Sequence, residues 1–257
     1  MRLAFCKYQG TGNDFIIIDD RQQKLGNYSN EFVQKLCDRR LGIGADGFIV
    51  LRDHAGHDFE MIYHNADGSQ SLCGNGSRCA VHLAKQLGII DEEAHFLTTD
   101  GAHRAFIQEG LVRVQLGDVK EIQTLPEGYW LNTGSPQYVT WVTDLAGLEV
   151  EQVGRQIRNS EPFQKDGVNV NFVQLQEDGT LAMRTYERGV EAETLSCGTG
   201  ATAVALVASL KGGTSPIAIS TQGGTLQVSF TKKSEQHFQD IYLTGPAKQV
   251  FQGTIDI

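Results

Sequence analysis

The sequence contains the same cysteine–glycine step twice, as SLCGNGSRCA at residues 71–80 and as LSCGTGATAV at residues 195–204. The two cysteines, Cys73 and Cys197, lie 124 residues apart. Each precedes a Gly-x-Gly turn and then a segment with the spacing of a helix, and both segments close with a glycine, which suits a helix C′ position. The pattern therefore predicts two helices that each begin directly after a cysteine.

Three further pairs of segments recur in the same order at nearly the same offset. TGNDFII (11–17) corresponds to TGSPQYV (133–139), GFIVL (47–51) to NFVQL (171–175), and MIYHNADGS (61–69) to MRTYERGVE (183–191). An offset of this length indicates a duplicated domain, because the units of solenoid proteins run about 20–50 residues. We place the division at the polar stretch near residues 120–126, which gives an N-terminal half, 1–122, and a C-terminal half, 123–245.

Each half is predicted to be rich in strands, with one dominant helix. Runs such as DFIIID, GFIVL, VNFVQL and TLQVSF have the β-branched and aromatic content of strands, whereas NEFVQKLCDRR and VEQVGRQIRN have the spacing of peripheral helices. The segment GATAVALVASLKG is apolar nearly all round, as a helix enclosed by a sheet would be. We therefore predict an α+β fold of two pseudo-symmetric domains, each a curved, barrel-like, mixed or antiparallel sheet wrapped around a central helix.

Composition narrows the function to small-molecule chemistry. The formal net charge of −9 works against binding to nucleic acid or to an anionic membrane surface. No stretch has the apolar length of a membrane span, and the N-terminus lacks the features of a signal peptide, so we expect a cytoplasmic protein. The five cysteines are an odd number, are thinly spread over the chain and include no CxxC pair, a pattern that favours reduced thiols over a disulfide framework or a zinc site. We expect neither a metal nor a cofactor.

Two glycine-rich stretches resemble nucleotide-binding motifs without the required context. GIGADG (42–47) fits G-x-G-x-x-G, but a helix-like segment precedes it and a strand follows it, which is the reverse of the dinucleotide-binding order. CGTGATA (197–203) lacks the Gly-Lys-Ser/Thr of a P-loop. We interpret GIGADG as a turn.

The positions of Cys73 and Cys197 favour acid–base chemistry over a structural role. Unsatisfied backbone N–H groups and the positive end of the helix dipole stabilise a thiolate, and such thiols can fall from a pKa of about 8.5 to about 3.5–7.5. The backbone N–H groups of residues 74–76 and 198–200 could also bind an α-carboxylate. Cys6, Cys37 and Cys79 lack this setting, and we interpret them as core residues.

Two such thiols on opposite sides of one carbon would invert a stereocentre. One thiolate removes a proton from one face, and the opposite thiol returns a proton to the other face. Duplication of a domain supplies the two groups if the halves pack about a pseudo-two-fold axis. The hypothesis explains why the chain contains the cysteine–glycine step twice.

The motifs GTGNDF, GADG, NADGS, CGNGSRC, NTGSP, YERG, CGTGA and GPA follow one another over essentially the whole chain. In this set and order, the sequence resembles the diaminopimelate epimerase family. The resemblance implies a cofactor-independent enzyme that interconverts LL- and meso-diaminopimelate in lysine biosynthesis, with Cys73 and Cys197 as the two bases. It also implies a homodimer and a final strand, around 246–257, that completes the N-terminal half.

The resemblance further implies the residues that bind the substrate. Side-chain contacts are expected from Asn13, Asn65, Asn169, Glu187 and Arg188, and backbone contacts from Gly74, Asn75, Gly198 and Thr199. Arg188 would meet the distal carboxylate of a substrate with two amino acid ends. Asn13 and Asn65 also lie in turn-like sequence, where asparagine is ordinary.

The chain departs from the family motif at Gln137, where the family usually has a histidine. Gln137 can form hydrogen bonds, but it cannot carry the charge of an imidazole. The segment YERGVEAET is one residue longer than usual, and the link from Asn65 to Cys73 is one residue shorter, which leaves substrate preference open. Two alternatives therefore stand: an epimerase of another amino acid, such as proline or hydroxyproline, and an amino acid-binding protein without turnover.

Overall fold

A computed structural model describes residues 2–256, and its chain forms two compact units. The first unit comprises the residues up to Val114 together with those from Gly245 onward, and the second comprises Gln115–Thr244. Both units are dominated by sheet, and each contains two helices among the described residues. The predicted α+β class is confirmed.

The first unit contains eight strands and two helices among its described residues. In chain order these are β1 (Arg2–Gly10), β2 (Asn13–Asp19), α1 (Asn30–Cys37), β3 (Gly47–His54), β4 (His57–Asn65), α2 (Gly74–Gln86), β5 (Glu93–Thr98), β6 (Gly101–Gln108), β7 (Leu111–Gln115) and, from the end of the chain, β17 (Lys248–Asp256).

The second unit contains the remaining strands and helices. They are β8 (Ile122–Leu125), β9 (Gly128–Asn132), β10 (Pro136–Trp141), α3 (Val150–Arg158), β11 (Asn169–Leu175), β12 (Leu181–Glu187), β13 (Ala192–Thr194), α4 (Gly198–Leu210), β14 (Ile217–Thr221), β15 (Gly224–Lys232) and β16 (Phe238–Gly245).

The strand order of the first unit is repeated in the second. The first unit runs β17-β1-β2-β3-β4-β5-β6-β7, with parallel pairing at β2–β3 and β4–β5 and antiparallel pairing elsewhere. The second runs β8-β9-β10-β11-β12-β14-β15 and continues to β16, with parallel pairing at β10–β11 and β12–β14. The strands β2, β3 and β4 thus correspond to β10, β11 and β12, which contain the segments that recur in the sequence.

The two helices that follow the cysteines are packed inside their own sheets. α2 packs against strands β1, β2, β3, β4, β6 and β17, and α4 packs against β9, β10, β11, β14 and β15. Each helix belongs to a large apolar core, whereas α1 and α3 pack in separate, smaller cores. α4 is apolar around almost its whole circumference because sheet surrounds it.

Local signals in the sequence agree with the observed helix ends. Gly88 and Gly212 lie two residues beyond the last residues of α2 and α4, with φ of +68° and +96°. This left-handed conformation suits glycine and ends the helix. GIGADG forms the turn between α1 and β3, as predicted. Within residues 2–256 we find no helix with the length and apolarity needed to cross a bilayer.

Candidate active site

Cys73 caps the N-terminus of α2 in the first unit. It has extended backbone dihedrals, φ −130° and ψ 107°, and its Sγ accepts a hydrogen bond from the backbone N–H of Gly76 at 3.4 Å. The thiol is partly buried. A sulfur at this position lies beside the unpaired N–H groups and the positive end of the helix dipole, which stabilise negative charge.

Asn13 connects the Cys73 thiol to a neighbouring carboxylate. Its Oδ1 accepts from Sγ of Cys73 at 3.6 Å and from Nδ2 of Asn75 at 3.2 Å. Its own Nδ2 donates to Oδ2 of Asp46 at 2.8 Å. The amide is therefore oriented with its carbonyl oxygen toward the thiol, and the structure brings the predicted residues Asn13, Cys73 and Asn75 together.

Asp46 belongs to an ionic network behind this site. Arg39 bridges Asp46 and Asp14, with an Nη2–carboxylate distance of 2.7 Å to each, and Nζ of Lys7 lies 2.7 Å from Asp14. Burial raises the pKa of Asp14, but hydrogen bonds from Arg39 and Lys7 outweigh burial and lower the pKa to about 2. The network fixes the turn that carries Asp46 and so fixes Asn13.

Asn65 stabilises the loop that leads to Cys73. Its Nδ2 donates to Oγ of Ser69 at 2.9 Å and to Oγ of Ser71 at 3.2 Å, and its Oδ1 accepts from the hydroxyl of Tyr63 at 3.0 Å. The structure thus places Asn65 at the end of β4, within the chain segment before the cysteine. Its observed bonds hold that segment in shape.

Cys197 occupies the matching position at the start of α4 in the second unit. Its dihedrals are φ −121° and ψ 112°, and its Sγ accepts from the backbone N–H of Gly200 at 3.4 Å. The hydroxyl of Thr199 lies 3.5 Å from the sulfur. Cys197 is 5% exposed. The backbone geometry of the two cysteine caps is thus nearly the same.

A chain of neutral side chains surrounds Thr199. The Gln137 amide donates to Oγ of Ser135 at 2.7 Å and to Oγ1 of Thr199 at 3.0 Å, and its Oε1 accepts from Nδ2 of Asn171 at 2.9 Å. Gln137 is fully buried. In the second unit, the uncharged amide of Gln137 is thus bonded to the Thr199 hydroxyl, which in turn lies beside the Cys197 sulfur.

Asn169 joins the same group of side chains to the end of β12. Its Nδ2 donates to Oγ of Ser135 at 3.1 Å, and its Oδ1 accepts from the backbone N–H of Arg188 at 2.8 Å. Glu187 ends β12, and the exposed Arg188 donates from Nη1 to the Asp166 carbonyl at 2.9 Å. The predicted residues Gln137, Asn169, Arg188 and Thr199 are linked through Ser135.

The strand residue beneath each helix start differs between the units. An added Cβ at Gly76 would lie 3.2 Å from Cδ1 of Ile49, on β3, but an added Cβ at Gly200 would lie 2.2 Å from Oδ1 of Asn171, on β11. Glycine at position 200 is therefore required by the close approach of Asn171. The first unit has an apolar residue where the second has a buried amide.

Sequence reasoning missed several residues that shape both half-sites. Ser135 and Asp46 lie inside the quoted motifs NTGSP and GADG, which gave a signal for their presence but not for their role. Asn171 and Thr185, which share a 2.9 Å hydrogen bond, lie within apolar strands, and no local pattern marks them. Among residues 2–256, no group of three or more His, Cys, Asp or Glu side chains could hold a metal ion.

A family model described as diaminopimelate epimerase matches residues 5–122 and 129–250. The chain belongs to the diaminopimelate epimerase family. It is 47% identical over 257 residues to the diaminopimelate epimerase of Flavobacterium psychrophilum, with 98% of this chain and 100% of the relative covered. The family assignment makes the protein an isomerase of the epimerase type, and it confirms the family resemblance.

Solved structures with much lower identity share the fold of this epimerase. A PhzF-family phenazine biosynthesis protein of Bacillus anthracis has a TM-score of 0.78 at 14% identity, with all of both chains covered. A hydroxyproline epimerase of Agrobacterium vitis has a TM-score of 0.70 at 13% identity, with 99% of this chain and 92% of that chain covered. At these identities the similarity establishes the fold alone.

Proposed function

We propose that this epimerase interconverts LL- and meso-diaminopimelate without a cofactor, with Cys73 and Cys197 as paired acid–base groups. The observation that carries the proposal is the recurrence of one half-site in both units. Each cysteine caps a helix at nearly the same dihedrals, and each sulfur accepts a 3.4 Å bond from the third residue of its helix. A two-base inversion of a stereocentre uses two such groups, one for each face. The substrate is the one named by the relatives.

The proposed reaction moves one proton at each sulfur. The first cysteine, as a thiolate, takes the proton from Cα, and the electron pair of the C–H bond stays on the carbon and is delocalised into the α-carboxylate. The second cysteine, as a thiol, then donates its proton to the opposite face of Cα. Its sulfur is left as the thiolate, so charge and atoms balance while the configuration inverts.

Backbone N–H groups at the starts of α2 and α4 are the proposed sites for the reacting amino acid end. Gly74 and Asn75 lie in the first turn of α2, and Gly198 and Thr199 in the first turn of α4. Helix N-termini favour carboxylates through their unpaired donors and dipole. Such contacts would also stabilise the negative charge that develops as the Cα proton leaves.

Side chains would bind the second amino acid end of the substrate. We assign this role to Asn13, Asn65, Asn169, Glu187 and Arg188. Asn169 supports the assignment because it bonds both to the backbone N–H of Arg188 and to the hydroxyl of Ser135. Arg188 is thereby connected to the side chains around Cys197. An arginine suits a distal carboxylate, and a glutamate suits a distal ammonium group.

We further propose that the enzyme is a cytoplasmic homodimer. The family resemblance supports the dimer, and the five free cysteines support a reducing compartment. Sedimentation equilibrium of the purified protein measures the oligomeric state. A mass near 28.2 kDa, that of one chain, would contradict the dimer.

The mechanism is tested by following the α-proton of LL-diaminopimelate in deuterated water by NMR, under reducing conditions. The wild-type enzyme should produce the meso isomer with deuterium at Cα. Cys73→Ala and Cys197→Ala should each lower the rate of epimerisation at least about 100-fold, because one proton-transfer group is lost. Cys6→Ala, at a thiol outside both half-sites, is the matched control and should retain most of the activity.

Two results would contradict the proposal. Near-normal epimerisation by either cysteine variant would exclude the two-thiol mechanism. Rapid epimerisation of proline or hydroxyproline, with no exchange on diaminopimelate, would instead show that the mechanism acts on another substrate. Calorimetric binding of diaminopimelate without any isotope exchange would indicate a binding protein.

A further inference from the structure

The orientation of the buried Gln137 amide is fixed through a backbone group. Nδ2 of Asn171 donates to the Tyr138 carbonyl at 3.1 Å and to Oε1 of Gln137 at 2.9 Å. A backbone carbonyl can only accept, so this Asn171 atom is a donor and the Gln137 atom that meets it is the carbonyl oxygen. The Gln137 nitrogen therefore lies on the other side, where it donates to Oγ of Ser135 at 2.7 Å and to Oγ1 of Thr199 at 3.0 Å.

The Ser135 hydroxyl accepts a second hydrogen bond whose direction is also fixed. Oδ1 of Asn169 accepts from the backbone N–H of Arg188 at 2.8 Å, so Nδ2 of Asn169 donates to Oγ of Ser135, at 3.1 Å. A hydroxyl oxygen has two lone pairs and one proton. Because Gln137 and Asn169 occupy both lone pairs of Ser135, its proton is donated to the third neighbour, Oγ1 of Thr199, at 3.1 Å.

The Thr199 hydroxyl continues this direction to the sulfur of Cys197. Its oxygen accepts from Ser135 and from Gln137, so its own proton is donated to Sγ of Cys197, at 3.5 Å. The same sulfur accepts from the backbone N–H of Gly200 at 3.4 Å and is 5% exposed. Hydrogen bonds donated to the charged form of a group favour that form. The arrangement around Cys197 therefore favours a thiolate.

The hydrogen bond between Cys73 and Asn13 has the opposite direction. Nδ2 of Asn13 donates to the Asp46 carboxylate at 2.8 Å, which turns Oδ1 of Asn13 toward the sulfur. Sγ of Cys73 donates to this oxygen at 3.6 Å, and a carbonyl oxygen cannot donate in return. Asn75, at the position that matches Thr199, donates to the same oxygen at 3.2 Å. The Cys73 bond to Asn13 therefore requires the thiol proton.

Charged side chains on the elements around α4 are bonded elsewhere. The strands packed against α4 carry three titratable side chains, Tyr129, Tyr138 and Lys232. Lys232 donates to the Ser209 carbonyl at 3.4 Å, at the opposite end of the helix from Cys197. Glu193, on β13, is bridged to Arg184 at 2.6 Å. The bonds to Cys197 from Thr199 and Gly200 are thus donated by uncharged groups.

The first unit contains one buried cation on the helix that follows Cys73. Arg78, in the second turn of α2, is fully buried, and a cation there favours negative charge nearby. The Asp46 carboxylate is bridged to Arg39 at 2.7 Å. The core cluster around Cys73 contains four other titratable side chains, Cys6, Tyr8, Tyr63 and Cys79. The bond to Asn13 opposes ionisation of Cys73, so a test must compare the two sulfurs directly.

We propose that Gln137 and Ser135 are positioning residues that direct the Thr199 hydroxyl to donate to Cys197, so that Cys197 is the thiolate and Cys73 the thiol in the substrate-free enzyme. The inference rests on the proposed function of the two cysteines and assigns them unequal resting states. It also gives Gln137 a role that needs no charge on its side chain.

The assignment fixes which sulfur acts first. Cys197 takes the Cα proton in the first step, and Cys73 donates its proton to the opposite face. After one turnover Cys197 is a thiol and Cys73 a thiolate. The resting form returns when Cys73 takes a proton from solvent and Cys197 releases one to solvent, so protons and charge balance.

The experiment measures the ionisation of both sulfurs in substrate-free protein. Short pulses of iodoacetamide from pH 5 to pH 9.5 are quenched, and alkylation of each cysteine is quantified by peptide mass spectrometry. Trypsin separates Cys73, in residues 53–78, from Cys197, in residues 189–211. A pH midpoint does not depend on how accessible a sulfur is. In the wild type, we expect the Cys197 midpoint to lie about one unit or more below the Cys73 midpoint.

Thr199→Val removes the hydroxyl and keeps the shape of the side chain. We expect it to raise the Cys197 midpoint by about one unit, so that Cys197 alkylation below the midpoint slows about tenfold. Thr199→Ser keeps the hydroxyl and should retain a midpoint close to that of the wild type. The Cys73 midpoint should not move in either variant.

Gln137→Met tests the positioning role, because it keeps an unbranched side chain and removes the amide. We expect the Cys197 midpoint to rise by about half a unit, since the Thr199 proton is no longer directed to the sulfur. Thr202→Val is the matched control. The Thr202 hydroxyl is buried in the same helix but donates to the Gly198 carbonyl at 3.0 Å, so its loss should leave both midpoints in place.

Three outcomes would overturn the proposal. A wild-type Cys73 midpoint at or below that of Cys197 would exclude the resting assignment, and this measurement needs no variant to fold. An unchanged Cys197 midpoint in Thr199→Val, with a native circular dichroism spectrum, would exclude the donated bond. The same result in Gln137→Met would exclude its positioning role. None of these depends on turnover, so the isotope-exchange assay tests the two-thiol mechanism separately.

Discussion

The two units of the molecule share a strand order but differ in the polar groups buried around the helix that follows each cysteine. In the first unit the helix after the cysteine carries buried Arg78, and the strand residue beneath the helix start is apolar Ile49. In the second unit the helix is apolar, and the strands carry buried Asn171 and Gln137. The two units thus share the geometry of the cysteine caps, while the residues around the caps differ. Matched backbones therefore do not require matched surroundings of the two thiols.

The largest expected effect is on the free energy of unfolding when the third residue of each cysteine-capped helix, Gly76 or Gly200, is replaced. Gly200→Ala would place a Cβ 2.2 Å from Oδ1 of Asn171, a buried amide fixed by its own hydrogen bonds, whereas the Cβ of Gly76→Ala would lie 3.2 Å from a terminal methyl of Ile49. We expect Gly200→Ala to lower the free energy of unfolding by about 3 kcal/mol, through overpacking and loss of bonds to Asn171. Gly76→Ala should stay within about 1 kcal/mol, because alanine favours the helix.

Urea unfolding of both variants measures this difference. The two substitutions are matched controls for each other, because each replaces the third residue of a cysteine-capped helix. Equal losses of stability would show that the strand residue beneath the cap does not distinguish the two units.

A smaller effect concerns the free energy of unfolding at acidic pH. Asp14 forms salt bridges in the first unit, whereas Pro136 holds the corresponding position in the second. The pKa of Asp14 is about 2, below its usual value of about 3.9, so the unfolded state binds more protons as the pH falls. Its contribution, about 2 kcal/mol, is present above pH 4 and is lost as the pH falls toward 2.

Urea unfolding at pH 7, 4.5 and 3 tests this contribution. We expect Asp14→Asn to be less stable than the wild type by about 2 kcal/mol at pH 7, with the gap narrowing at pH 3. Asp118→Asn, at an exposed carboxylate, is the control and should follow the wild type. A gap that stays constant with pH would contradict an electrostatic origin.

The smallest effect concerns the outer helices of the two units. Ser29 caps α1 by accepting from the backbone N–H of Phe32, whereas Glu149, at the start of α3, forms no side-chain cap bond. We expect Ser29→Ala to lower the free energy of unfolding by about 1 kcal/mol, and Glu149→Ser to raise it by about 0.5 kcal/mol. Thermal unfolding measures both. No loss of stability in Ser29→Ala, or no gain in Glu149→Ser, would contradict this difference between the two helix starts.

Much of the fold could be predicted from local patterns. The two cysteine caps, the C′ glycines and the strands rich in β-branched residues were visible, because each depends on residues close together in sequence. Strands such as β6, GAHRAFIQ, and β17, KQVFQGTID, were not predicted from their residues. β17 pairs with β1 from the other end of the chain, a pairing that no short window can show.

The sequence by itself determined the α+β class, the positions of both cysteines at helix starts, and the family of the protein. The sequence was sufficient for these features because periodicity, helix caps and motifs depend on residues that are close together in the chain. Only the tertiary structure decided that Arg78 is fully buried with no carboxylate partner among residues 2–256, and that Asn171 lies beneath Gly200. Burial and pairing depend on segments far apart in the chain, and burial determines how much a charge or an amide affects its neighbours.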